Sequence, residues 1–312
     1  MSELDLRDPT AVTVIIPTYR PDARFVRALE CLQAQTHAAV YVNVSVDPAP
    51  GHVMPRLPDM PRLRIIHQPT RLGWVGNTNA LLPTVQTPLF LPLSHDDTIT
   101  PGYIERCVAP LTANPQAVVA HSGFRNRGVR EDEMTTPSIT GSRRERLKTY
   151  LDRGPHRAEL GWHGVIRSEL IGRGLRLRTR RSDGHLSNTL WVLEMLCHGD
   201  SLDAPGECYD RYIEPDGLSR QFHKRSTAER SAMLADNAAC LLDMARDVGL
   251  PADETEWVMT RWIQWLLELQ GNWNVLADEP RSDHRTLEET RPALARFVAN
   301  VALSLADGDN GR

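Results

Sequence analysis

Through about residue 125 the chain alternates short unbroken apolar runs with stretches in which apolar positions recur every three or four residues. That is the pattern of a mostly parallel sheet covered by helices. Residues 12–16 (VTVII) are consecutive β-formers closed by Pro17, which suits a strand buried on both faces. Asp22 then opens a helical period carried by Phe25, Val26, Leu29 and Leu32. Residues 40–46 predict a second strand ending at Asp47, 63–67 a third, 88–93 a fourth and 117–121 a fifth. Between them, 48–62 hold five prolines and no period, which predicts a surface loop, and 77–85 predict a helix. Thr100-Pro101 reads as a helix cap followed by proline at the first helical position.

Beyond residue 125 the texture changes. Residues 125–148 are polar and charged, 186–196 predict an apolar helix, and 208–213 predict a strand. From about residue 227 the pattern is helical throughout, over 233–248, 254–272 and 285–305. A boundary near residue 225 therefore divides a mixed α/β domain, 1–225, from an all-helical domain, 226–312.

Composition narrows the class. Of 312 residues, 41% are hydrophobic and 24% charged, which excludes disordered and fibrous chains. No apolar run approaches the roughly 20 residues that span a bilayer, and the acidic start MSELDLRDPT is unlike a signal peptide. A net charge of -4 argues against a nucleic-acid partner. Five scattered cysteines with no CxxC pair fit a reducing compartment, so a cytoplasmic enzyme is the expectation.

In open parallel sheets, ligands bind at the carboxyl ends of the strands. Those positions hold Thr18-Tyr19-Arg20, Asp47, Arg71 and Ser94-His95-Asp96-Asp97. A nucleoside diphosphate asks for such a set: a ring to stack on the base, an acceptor for a base N–H, and a cation or metal for the pyrophosphate. No GxGxxG follows the first strand and no GxxxxGK[ST] occurs, which disfavours an NAD fold and removes a P-loop NTPase. Neighbouring residues leaving a strand point opposite ways, so Asp96 and Asp97 divide their work. Asp96 is favoured to hold a hard divalent cation together with phosphate oxygens, and Asp97 to be structural. Blander readings stand beside these: Asp96-Asp97 as a helix cap, Asp47 before Pro48 as a turn starter, Tyr19 as packing.

The stretches VTVIIPTYRPDARFVRALECLQAQT, VSVD, RLGWVGNTNA and PLFLPLSHDDTITPGYI resemble family 2 glycosyltransferases of the GT-A fold, well to residue 125 and more loosely to about 225. The resemblance implies an α/β fold with nucleotide-sugar binding over 10–125, an acceptor side over 126–225, and a helical C-terminal domain. By resemblance, Thr18 and Tyr19 pack on the base of a UDP-sugar and Asp47 accepts from the uracil N3–H. Arg71 and Asn79 then sit around base and ribose, Ser94 stands where the family often has Asp, and Asp96 is the metal-binding member of the DxD motif. The implied activity is inverting hexosyl transfer to a hydroxyl of a glycan, lipid-linked or small-molecule acceptor, assisted by Mn2+ or Mg2+.

The family's base lies just before a helix that ends in glycine. Asp183 fits, ahead of Gly199, and reads equally as a helix N-cap; a tighter alignment puts Asn188 there, which leaves His185 or His163 as the base or calls for an unusually acidic acceptor. Glu214, in YIEPDGLS, stands where the family has a histidine able to touch the metal, with His223 a further candidate. Trp162 and His163 fall on the expected acceptor loop. Arg173, Arg176, Arg178, Arg180 and Arg181 read either as a sleeve for anions or as a charged strand edge. The broad apolar face of Met259, Trp262, Ile263, Leu266 and Leu269 suits a helical core or a homodimer seam. Two rivals remain. A sugar nucleotidyltransferase would want a Gly- and Lys-rich loop after the first strand, which PTYRPDAR lacks; a degenerate relative would bind nucleotide sugar or a protein partner without turnover.

Overall fold

A computed structural model of the chain describes residues 8–129, 131–155, 159–180, 184–213 and 225–269. Asp183, Glu214, His223 and the helix expected over 285–305 lie outside those residues. The described strands form one mixed sheet in the order 63–67, 40–47, 12–19, 89–92, 165–167, 117–128, 200–213 and 98–99, with 132–134 (β7) beside 117–128. β1 (Val12–Tyr19) runs parallel to β2 (Val40–Asp47) and β4 (Leu89–Pro92), and β3 (Leu63–His67) extends this parallel half. β8 (Val165–Arg167) enters antiparallel between β4 and β6 (Ala117–Gly128). β9 (Asp200–Ile213) runs parallel to β6 and carries β5 (Thr98–Ile99) on its outer edge.

Alternate residues of the central strands feed two apolar layers. On one face Val12, Val14 and Ile16 pack under α1 (Ala23–Gln33) and α3 (Tyr103–Ala113), through Phe25, Leu29, Tyr103 and Ile104. On the other, Ile15 and Phe90 meet α2 (Gly73–Leu81), α4 (Arg143–Arg153) and α6 (Ser187–His198), while α5 (Glu169–Gly172) adds Leu170. The same second layer continues without a break into α7 (Thr227–Asp247) and α8 (Ala252–Leu269), through Leu241, Met244, Trp262 and Leu266. None of the described helices is long and apolar enough to cross a membrane.

Several elements differ from the sequence expectation for identifiable reasons. β1 runs through Pro17 because β4 pairing ends at Ile15 and Pro92, where a missing N–H costs no ladder bond. α2 starts at Gly73 rather than 77, since Asp47 holds its first amides. α3 starts at Tyr103, after a turn closed by Tyr103 N–H on the Thr100 carbonyl. α4, hidden in a polar stretch, is set by a Ser142–Glu145 capping box and buries only Arg146, Leu147, Tyr150 and Leu151, Arg146 donating from Nε to the Leu196 carbonyl.

The strand expected of the arginine segment is corrected. Residues 173–180 form no strand, and each of the four arginines they carry meets an acidic residue, Arg173 and Arg176 from exposed positions. Arg178, 6% exposed, pairs with Glu194 of α6 at 2.8 and 3.0 Å and with Asp247 of α7 at 2.6 Å. Arg176 also reaches Asp247, and Arg180 grips Asp243 with two bonds. The segment is an ionic seam that joins α6 to α7.

Candidate functional site

The β1–β2 register sets Tyr19 beside Asp47, and β4 leaves the sheet on the other flank of β1 toward Ser94-His95-Asp96-Asp97. The carboxyl ends of three adjacent parallel strands thus bring the expected aromatic ring and carboxylates to one rim. Arg71 completes it, its guanidinium 4.1 Å from the centre of the Tyr19 ring, with that of Arg20 at 5.1 Å. Arg20 is one of two described non-glycine residues with positive φ, at 52°.

Asp47 places Arg71. The carboxylate is 2% exposed and accepts N–H bonds from Leu72 (3.1 Å) and Gly73 (2.8 Å), at the start of α2. Leu72 has no side-chain cap to offer, so an acid from the neighbouring strand stands at the positive end of the helix. The turn-starter reading of Asp47 is thereby replaced by a longer-range tie.

Two asparagines of the RLGWVGNTNA stretch divide the remaining anchoring. Asn77, which sequence reasoning passed over, is 2% exposed and donates to the carbonyls of Thr18 and Ser45, both at 3.2 Å. Asn79 exchanges two 2.9 Å bonds with the main chain of Leu177, so its amide is committed to the ionic seam. The Thr18 hydroxyl is buried and lacks a hydrogen-bond partner among the described residues. Only the burial of Asn77 sets the two asparagines apart, and neighbouring positions give no sequence signal for that. Between α2 and the seam, Arg71, Trp74, Asn79, Thr179, Arg180 and Asp243 help to line a cavity of about 570 Å³.

The two aspartates diverge. Asp97 is buried, with one oxygen accepting from the Tyr209 hydroxyl and the other from the Tyr212 N–H, each at 2.8 Å. Burial, and then the neighbouring Asp96 charge, push its pKa up to about 7. Asp96 is half-buried and held by no hydrogen bond or ion pair among the described residues. Ser94 receives the Asp97 N–H on its carbonyl and gives its own N–H to Tyr209. Among the described residues no three acidic, histidine or cysteine side chains converge as a metal cluster. A single open carboxylate nonetheless fits Mg2+ or Mn2+, which take one or two protein carboxylates when phosphate oxygens supply other ligands.

The acceptor-side residues separate. Trp162 is half-buried in an aromatic cluster, edge-on to Trp74 at 6.5 Å and to Trp191 at 5.1 Å. His163 is buried against Tyr209 and Phe124, at 4.2 and 4.9 Å between ring centres. Burial, with Arg211 and His121 nearby, holds its pKa well below the ordinary histidine range. It is therefore a neutral core histidine, which removes it as a base open to an acceptor. Asn188 stands in the first turn of α6, just after Leu186 in left-handed conformation (φ 64°). Gly184 lies tight against Val75 and Trp74 of α2.

Three comparisons bear on this geometry. The model of the glycosyl transferase family 2 matches residues 13–169, half of the chain. No curated protein matches it by sequence. Among solved structures, residues 1–349 of S. aureus TarS in complex with UDP-GlcNAc are similar, with TM-score 0.61 and 14% identity over 97% of this chain and 92% of that one. The same TarS fragment crystallised alone gives 0.58 at 12% identity, and in complex with UDP 0.51 at 14%, with the same coverages. The likeness establishes the GT-A architecture: a mixed α/β sheet flanked by helices, with further helices toward the C-terminus.

Proposed function

The chain belongs to the glycosyl transferase family 2, and from that premise we propose that it moves a sugar from a UDP-sugar to an acceptor hydroxyl, with inversion and with the help of a divalent cation. The observation that carries the reading is the rim itself. Tyr19, stacked with Arg71, and Asp96, whose carboxylate has no hydrogen bond or ion pair among the described residues, follow adjacent strands of one sheet. UDP is the nucleotide to test first because a structure with this fold holds UDP-GlcNAc.

In this reading the Tyr19–Arg71 stack offers one face to the base, with Thr18 behind it, and Asn79 and Ser94 lie toward the ribose. Asp47 acts through the loop that it ties down, keeping Arg71 over the ring. Asp96 is the residue that would hold Mn2+ or Mg2+, with Glu214 a second proposed ligand. The cation would offset the charge that gathers on the leaving diphosphate. Asp183 is proposed to take the proton from the acceptor hydroxyl, whose oxygen attacks the anomeric carbon opposite the departing UDP, so configuration inverts. The rim is flanked by the half-buried Trp162, proposed to face the acceptor side.

Release of UDP from UDP-GlcNAc and other UDP-sugars tests the proposal. Slow, Mn2+-dependent release that disappears in Asp96→Ala, and in Asp183→Asn with UDP binding intact, is the expected result. Tight UDP-sugar binding with no release against a broad acceptor panel would replace transfer by a binding role.

A further inference from the structure

We propose that Tyr209 is a positioning residue for Asp96, fixing through its hydroxyl the turn on which that carboxylate stands. The inference rests on Asp96 being the residue that holds the cation. Residues 94–97 form a tight turn, closed by the Asp97 N–H on the Ser94 carbonyl at 3.2 Å. One oxygen atom, the Tyr209 hydroxyl, spans that turn. It donates to Asp97 Oδ2 at 2.8 Å and accepts the Ser94 N–H at 3.3 Å. The Tyr212 N–H takes the other Asp97 oxygen, and β5 pairs Thr98 with Asp210 and Ile99 with Tyr209. With both oxygens bound, Asp97 cannot swing toward a ligand, and Asp96 alone is presented outward.

The ring is as fixed as its hydroxyl. Tyr209 is 1% exposed, stacked on Phe124 at 5.7 Å, edge-on to Tyr103 at 6.3 Å and against His163 at 4.2 Å. It therefore reaches neither substrate nor solvent and acts only through the turn. Small divalent cations demand narrow ligand distances, so freedom of the turn appears as lost cation affinity. Outer residues that orient a ligand typically govern about a tenfold to hundredfold range of metal affinity.

Tyr209→Phe keeps the ring and removes the hydroxyl. Calorimetric titration of UDP, with and without Mn2+, is compared across wild type, Tyr209→Phe, Asp96→Ala and Tyr103→Phe. The last removes a neighbouring buried hydroxyl, bonded to the His163 carbonyl, and controls for general loss of packing. Tyr209→Phe is expected to bind UDP alone as wild type does, yet to need roughly tenfold more Mn2+ for the metal-dependent gain. Tyr103→Phe should lower the melting temperature without changing the Mn2+ requirement. Should Tyr209→Phe not fold, Asp97→Asn tests the same bond from its other end, with a smaller shift in the same direction. An unchanged Mn2+ requirement in Tyr209→Phe, with the metal effect lost in Asp96→Ala, overturns the inference while sparing the proposed function. If Asp96→Ala also leaves it unchanged, the cation assignment falls and takes the inference with it.

Discussion

Asp47 and Asp97 are both buried acids that accept two bonds each, yet their consequences differ. Asp47→Ala removes the acceptor for two amides at the start of α2, which should cost about 1–3 kcal/mol in chemical denaturation. It should also weaken UDP binding by freeing Arg71. Asp97 answers to pH. Its folded pKa, near 7, lies above the value of 3.8 in an unfolded chain, so the native state holds the extra proton between those limits. Stability from this group is therefore full below about pH 4 and declines as pH rises toward 7. In a series of melting curves, wild type should lose ground to Asp97→Asn over that window, and a pH-independent difference would contradict the account.

At the scale of elements, the ionic seam binds α6, α7 and the segment 173–180. Arg178 has two carboxylate partners, whereas the buried Glu194 depends on Arg178. Arg178→Met strands a carboxylate that is 1% exposed, and should cost about 3–5 kcal/mol by urea unfolding. Glu194→Gln leaves Arg178 its bonds to Asp247 and should cost less; the reverse order would show that the seam is not organised around Arg178. This seam also marks where sequence reasoning stopped. The parallel strands were legible because strands buried on both faces show as unbroken apolar runs, and the rim followed because residues after such strands are fixed by topology. The alternation of side chains predicts that Asp96 and Asp97 diverge, but residues 94–97 form a turn, and what separates the two acids is the hold of Tyr209 and Tyr212 on Asp97. Alternating Leu and Arg over 175–178 suggests a strand, because the acids that pair with those cations lie on helices up to 71 residues away. Asn77 and Tyr209 were invisible for the same reason: their partners are main-chain groups and a carboxylate brought close only by folding.

For the molecule as a whole, α7 and α8 are part of the core beneath the sheet. Trp262 is wholly buried, donates its indole N–H to Asn237 at 2.8 Å, and shares one apolar cluster with Trp191 and Phe90. Trp262→Ala should therefore cost about 3–5 kcal/mol, although the residue lies far along the chain from the rim. A chain ending at residue 225 would expose Trp191's neighbours and leave Arg178 and Arg180 without Asp247 and Asp243. It should lose cooperative unfolding and near-UV signal rather than behave as a free domain. The claim at the centre of the account is that one sheet rim gathers a nucleoside diphosphate and a cation at Asp96. Ligand-linked melting tests it most directly, since a ligand that binds only the folded state raises the midpoint. UDP with Mn2+ should raise the melting temperature of the wild type above that with either alone, and should not do so for Asp96→Ala. An equal rise in Asp96→Ala would contradict it.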